Sequence, residues 1–181
     1  VEHLKIIRKM NLKEFIREIP DYPEKGINFK DITTLLKDGP AFREVVDRVS
    51  SHFEGRGITK VVSLESRGFI VGGAVAYHLG AGFVPARKKG KLPAKTVRQS
   101  YDLEYGTDTI EMHLDALNED DVVLIHDDLL ATGGTALAAL KLVQQMNVKQ
   151  IFFSFICDLK FIENGNKKLL SEYETHSLVV Y

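Results

Sequence analysis

Tryptophan is absent, cysteine occurs once and proline only five times in these 181 residues. The single cysteine, Cys157, excludes an internal disulfide, which suits a reducing compartment. It closes the apolar run 151–157 (IFFSFIC) and reads as a buried structural thiol rather than a nucleophile. Excess charge of one sign is also lacking. Lys and Arg total 24 against 25 Asp and Glu, a formal net charge of −1. No global field therefore draws the chain to nucleic acid or to an anionic membrane, and any anion binding has to be local. Long hydrophobic runs are missing too. The one uncharged stretch near membrane length, 68–86, carries glycines, a histidine and a proline, and reads as a buried helix followed by a strand. The opening Val-Glu-His-Leu-Lys has no basic stretch leading into an apolar one, so no secretory signal is expected and a cytoplasmic location is. The six histidines form no metal-ligand spacing such as H-E-x-x-H.

What is present is ordinary globular material, 44% hydrophobic and 27% charged, enough for one domain with a sizeable core. Leu12, Phe15, Ile16 and Ile19 recur at helical spacing and predict an amphipathic helix that stops at Pro20. Phe42, Val45, Val46, Val49 and Phe53 mark a second helix, introduced by Gly39-Pro40. Short apolar runs at 60–64, 83–86, 122–126, 150–156 and 177–181 read as strands. Between them, 68–79 and 135–146 read as helices. This alternation implies an α/β fold with a mostly parallel central sheet flanked by helices. Residues 101–105 and 109–113 alternate around Gly106-Thr107-Asp108 and predict a protruding antiparallel hairpin. No repeat or linker divides the chain.

The most informative segment is 122–135, VVLIHDDLLATGGT. A hydrophobic strand is expected to end, two aspartates follow, and Ala131-Thr132-Gly133-Gly134-Thr135 opens a helix. Ligands of open α/β sheets bind at the carboxyl ends of strands. Glycines let backbone N–H groups wrap an anion, and a helix N-terminus favours negative charge. Residues 131–135 therefore read as a phosphate cradle. It is neither a Walker A loop nor a G-x-G-x-x-G fingerprint. Carboxylates beside a phosphate need other partners, and ribose hydroxyls or a hydrated Mg²⁺ supply them, which assigns Asp127 and Asp128 to a sugar. His126, just before the acids, reads as a packed or hydrogen-bonded strand-end histidine. Glu65-Ser66-Arg67-Gly68 likewise follows a strand and opens a helix, and Arg67 suits phosphate oxygens. Residues 87–98 hold Arg87, Lys88, Lys89, Lys91, Lys95 and Arg98 and no acid. A solvated loop, an import tract and a nucleic-acid patch compete there with a polyphosphate clamp. Interleaved aromatics for base stacking are missing, and two other phosphate-binding turns favour the clamp.

Segments 19–36 (IPDYPEKGINFKDITTLL), 64–69 (LESRGF), 87–93 (RKKGKLP), 101–106 (YDLEYG) and the 127–135 signature together resemble the type I phosphoribosyltransferase family, in family order and over nearly the whole chain. The resemblance implies that fold with a flexible hood at 87–113, one domain over 1–181, and a base-binding segment within 1–36. It implies transfer of the 5-phosphoribosyl group from phosphoribosyl pyrophosphate to adenine, giving AMP and pyrophosphate. Mg²⁺ would be carried mainly by the substrate pyrophosphate, and the chain would form a homodimer. It further implies pyrophosphate binding by Glu65, Ser66, Arg67, Arg87, Lys88 and Lys91, with a cis peptide between Glu65 and Ser66. Asn28, Phe29 and Lys30 would hold the base, and Glu104 would act as the catalytic acid–base. Lys30, Asn28 and His126 depart from the family's usual residues at their positions. Another base, or sensing without catalysis, are the alternative activities of the same fold.

Overall fold

In a computed structural model the described residues are 10–102 and 106–181. Two compact units divide the chain, 1–45 and 46–181. In the first, a single 3-10 turn, Leu12–Phe15, leads into β1 (Arg17–Ile19), which pairs antiparallel with β2 (Phe29–Asp31). The expected helix over 12–19 is therefore not formed. Leu12 and Ile16 do bury, as helical spacing predicts. Strand pairing takes the rest: Ile19 lies opposite Phe29, and Arg17 bonds Asp31, its partner in register. Local spacing cannot register such a non-local pairing. A short α1 (Thr33–Leu36) follows. The Asp38 carboxylate accepts from the Ala41 N–H at 2.9 Å and caps α2 (Gly39–Phe53).

The larger unit alternates strand and helix: β3 (Lys60–Leu64), α3 (Gly68–Leu79), β4 (Gly82–Lys88), β5 (Thr96–Asp102), β6 (Thr107–His113), β7 (Val122–Leu130), α4 (Gly134–Gln144), β8 (Gln150–Asp158), α5 (Gly165–Leu170) and β9 (Thr175–Val180). The seven strands form one sheet in the order β5-β6-β4-β3-β7-β8-β9. β4, β3, β7, β8 and β9 are parallel, while β5 and β6 are antiparallel at one edge. The hairpin is thus not merely a protrusion. β6 continues the main sheet, with Arg87 opposite Glu111 and Lys88 opposite Ile110.

Both faces of the central strands are apolar because helices cover both. On one, Val62, Leu64, Val123, Ile125, Phe153 and Phe155 pack with Ala139, Leu140 and Val143 of α4. On the other, Phe53 at the end of α2 sets its ring 5.8 Å from that of Phe152, and α3 crosses β3 closely. A Cβ on Gly72 would lie 1.8 Å from Ser63 Oγ and 2.9 Å from Ser63 Cβ, so only glycine permits this approach. Parallel strands with crossover helices bring the carboxyl ends of β3, β4 and β7 to one rim, where the polar residues collect.

Candidate active site

β7 continues four residues beyond its apolar run, so Asp127 and Asp128 lie within the strand rather than after it. Parallel pairing to β8, with Asp127 opposite Phe155 and Leu130 opposite Asp158, carries the strand that far. Alternation sends consecutive side chains to opposite faces, and the two acids accordingly have different partners. Asp128, buried, accepts from Arg67 Nε at 2.5 Å. Asp127 turns one oxygen back to the N–H of Asp128 at 2.8 Å. That oxygen also lies 3.0 Å from where a Cβ of Gly68 would stand, so the Glu65–Gly68 turn and the acid pair touch. Desolvation of its carboxyl, and then the charge of Asp128, raise the Asp127 pKa well above the usual carboxylate range. Asp127 therefore takes up a proton more readily than a solvated acid and can offer a hydroxyl oxygen either a donor or an acceptor.

Beyond Leu130 the chain turns through residues 131–133. Gly133, at φ 79° and ψ 2°, is the N-cap of α4, a left-handed conformation that favours glycine. Its carbonyl accepts the first helical bond, from Leu137 N at 2.9 Å. Two neighbours pack on this loop. Tyr101 of β5 is one: a Cβ on Gly134 would lie 3.7 Å from its ring. Behind Gly133 stands α5: a Cβ there would meet Leu170 Cδ1 at 3.2 Å, Asn166 Cβ at 3.4 Å and Lys167 Cγ at 3.4 Å. Asn164 Nδ2 donates to the Thr132 carbonyl at 2.9 Å and Asn166 Nδ2 at 3.5 Å. The sequence alone gave no role to α5. Asn164-Gly165 was a readable cap signal, but nothing local says that this cap faces the cradle.

The peptide between Glu65 and Ser66 is cis, as the resemblance implies. The Glu65 carboxylate gathers the basic segment: Lys91 Nζ at 2.5 Å, the Lys88 N–H at 2.9 Å, and Arg87 Nη2 at 3.4 Å. Burial pushes its pKa up, but these donors outweigh it and hold the carboxyl down at about 2. Lys88 Nζ reaches Asp108 at 3.1 Å, and Arg98 Nε reaches the buried Glu111 at 3.1 Å. A segment with no acid in its own sequence is thus counter-charged from the turn after β3 and from β6. Because β4 runs to Lys88 and β5 starts at Thr96, only 89–95 of the basic run is loop.

Asn28, Phe29 and Lys30 belong to the 1–45 unit. Phe29 sets its ring edge-to-face with Tyr22 at 5.3 Å. The two unusual side chains share one partner: Glu18 accepts from Asn28 Nδ2 at 2.8 Å and pairs with the buried Lys30 Nζ at 2.8 Å. Those two hydrogen bonds hold the Glu18 carboxyl below its ordinary pKa. Glu18 was not singled out in the sequence, since only the β1–β2 register sets it opposite Lys30. Glu104, with Leu103 and Tyr105, lies outside the described residues.

His126 is fully buried in register with Ser63 of β3 and Ser154 of β8. Among the described residues, neither ring nitrogen of His126 nor the hydroxyl of Ser63 or Ser154 has a hydrogen-bond partner of good geometry. Desolvation drives the imidazole pKa down to about 4, with only a weak opposing interaction from the Ser154 backbone.

The adjoining ends of parallel strands thus carry a glycine-built loop, an acid pair and a cation cluster on an α/β frame. The chain belongs to the phosphoribosyltransferases: the phosphoribosyl transferase domain family matches residues 33–173. It is 54% identical over 171 residues to the adenine phosphoribosyltransferase of Citrifermentans bemidjiense, covering 94% of this chain and 99% of that one. The APRTase of Giardia lamblia complexed with 9-deazaadenine superposes with a TM-score of 0.88 at 40% identity, over 94% of this chain and 96% of that one. The adenine phosphoribosyltransferase of Saccharomyces cerevisiae, complexed with an imino-altritol bisphosphate and adenine, gives 0.86 at 35% identity, over 92% and 96%.

Proposed function

We propose that this chain performs purine salvage, transferring the 5-phosphoribosyl group of phosphoribosyl pyrophosphate to adenine to give AMP and pyrophosphate. The observation that carries this is the contact between two turns on adjoining strands, Arg67 of one paired with Asp128 beside the 131–135 cradle of the other. A phosphate at one turn and a pyrophosphate at the other would span a ribose lying over Asp127 and Asp128. The identity of relatives named adenine phosphoribosyltransferase, over nearly the full chain, supports adenine as the base.

In the reaction the bond from C1′ to the pyrophosphate oxygen breaks, a bond from C1′ to the purine nitrogen forms, and the purine loses a ring proton. The backbone amides and threonine hydroxyls of Ala131, Thr132, Gly133, Gly134 and Thr135 hold the 5-phosphate. Asp127 and Asp128 fix the 2′- and 3′-hydroxyls. Ser66, Arg67, Arg87, Lys88 and Lys91 stabilise the charge that builds on the leaving pyrophosphate. Phe29 stacks on the base, backbone groups of Asn28 and Lys30 read its amine edge, and Glu104 takes the ring proton near N7. Among the described residues no three or more His, Cys, Asp or Glu gather as a metal site. A Mg²⁺ chelated by the substrate pyrophosphate would be held chiefly through the substrate, with Asp127 and Asp128 as the nearby acids, and would supply charge neutralisation for the leaving group. Residues 1–181 act as one catalytic domain, in the cytoplasm and as a homodimer.

AMP formation from adenine, phosphoribosyl pyrophosphate and Mg²⁺ is the direct test. A higher kcat/KM for hypoxanthine or guanine than for adenine refutes the base assignment, and tight substrate binding without AMP refutes catalysis. Glu104→Gln is expected to reduce kcat at least a hundredfold with little change in phosphoribosyl pyrophosphate binding. An unaffected rate removes Glu104 from the mechanism.

A further inference from the structure

The phosphate cradle has a back wall, and its hydrogen bonds decide which way one peptide faces. In a trans peptide the C=O and the N–H point in opposite directions across a single plane. The carbonyl of Thr132 points at α5, where Asn164 Nδ2 holds it at 2.9 Å and Asn166 Nδ2 at 3.5 Å. The N–H on the other side of that peptide, which belongs to Gly133, is thereby turned away from α5. Reversing the peptide would leave both amide donors facing an N–H and would remove the Gly133 N–H from the anion.

Asn164 is fixed from its other end. Its Oδ1 accepts from the Lys167 N–H at 3.1 Å as the N-cap of α5, with extended φ −161° and ψ 176°. The rest of α5 is anchored to the end of β8, where Lys167 Nζ donates to Asp158 Oδ1 at 2.8 Å and to the Leu159 carbonyl at 2.6 Å. Leu159 N in turn bonds the Leu130 carbonyl, the last residue of β7, at 2.9 Å. A closed ring of contacts results, from β7 through the loop to α5 and back through β8. Asn164 makes the shorter of the two contacts from α5 to the loop's peptide.

We propose that Asn164 is a positioning residue for phosphoribosyl recognition, holding the Thr132–Gly133 peptide with its N–H toward the 5-phosphate, with Asn166 as a secondary support. This rests on residues 131–135 being the 5-phosphate site. The side chain acts without touching the ligand, and its two functions are separable. As a cap it needs only an acceptor; as a clamp it needs a donor of amide length.

Asn164→Ser keeps a good capping acceptor but cannot reach Thr132. Asn164→Asp keeps cap and length but sets a carboxylate against a carbonyl. The expected result is a roughly tenfold weaker Kd for AMP by calorimetry in the serine variant and a larger loss in the aspartate variant. KM for phosphoribosyl pyrophosphate should rise in parallel, with kcat down less than threefold, KM for adenine within twofold and thermal midpoints within a few degrees. Unchanged AMP affinity in both variants, while the parent chain binds AMP, overturns the positioning role. Losses that fall equally on adenine, or that track a lowered midpoint in both variants, also overturn it, because they mark a stability role. If the parent chain itself binds neither AMP nor ribose 5-phosphate, the phosphate-site assignment falls, and the inference with it.

Discussion

His126 sits where a titratable ring is least favoured, fully buried between two buried serines. Its pKa of about 4 in the folded protein lies below the unfolded value of about 6.5. The unfolded chain therefore binds the extra proton first. Stability from this residue is complete above pH 6.5 and is lost as pH falls from there toward 4, by about 1.4 kcal/mol per pH unit at its steepest. His126→Val should flatten the stability–pH curve over that window, measured by urea unfolding at pH 7, 6, 5 and 4.5. Parallel curves for the two proteins would show that the ring does not titrate there. The histidine was visible in the sequence as a departure, but its cause was not. Only the strand register sets Ser63 and Ser154 beside it, and register between strands distant in sequence leaves no local pattern.

At the level of elements, close approach governs what the sequence could say. α3 lies against β3 because Gly72 has no Cβ. Gly72→Ala should destabilise by about 1–3 kcal/mol through overpacking, and Ser63→Ala in the same chain should recover part of the loss by removing the nearer atom. Chemical denaturation of the single and double variants reads this directly; additive losses would show that the two residues do not collide. β3 and α3 were legible to the residue, since each is a continuous apolar run set off by turn residues on either side. The 12–19 segment was not, because its apolar spacing serves a 3-10 turn followed by a strand, and the pairing of Ile19 with Phe29 that decides between them is non-local. The Thr-Gly-Gly-Thr loop was legible as a helix-opening motif, yet the acids before it were placed after the strand rather than within it. The extra length of β7 depends on β8, whose own run extends to Asp158. The back wall at α5 was illegible, being made of contacts between residues some thirty positions apart.

For the whole molecule, α3 also leaves an apolar surface uncovered. Ile70 and Tyr77 lie two turns apart on it, 49% and 90% exposed, and Phe83 of β4, 40% exposed, packs edge-to-face on Phe69. A homodimer built on this face would cover them. If the chain dimerises through this face, Ile70→Glu combined with Tyr77→Glu should leave a monomer in sedimentation analysis without unfolding it; a dimer that persists places the interface elsewhere. Glu65, finally, makes the cation cluster a matter of exchange rather than attraction. Arg87, Lys91 and the Lys88 amide already have a resident carboxylate, so a pyrophosphate bound there as proposed would displace an anion instead of meeting bare positive charge. The same carboxylate would reclaim its donors on departure of the diphosphate. A built-in competitor of this kind would weaken the grip on both substrate and leaving group, and would keep the enzyme from being held by its own product.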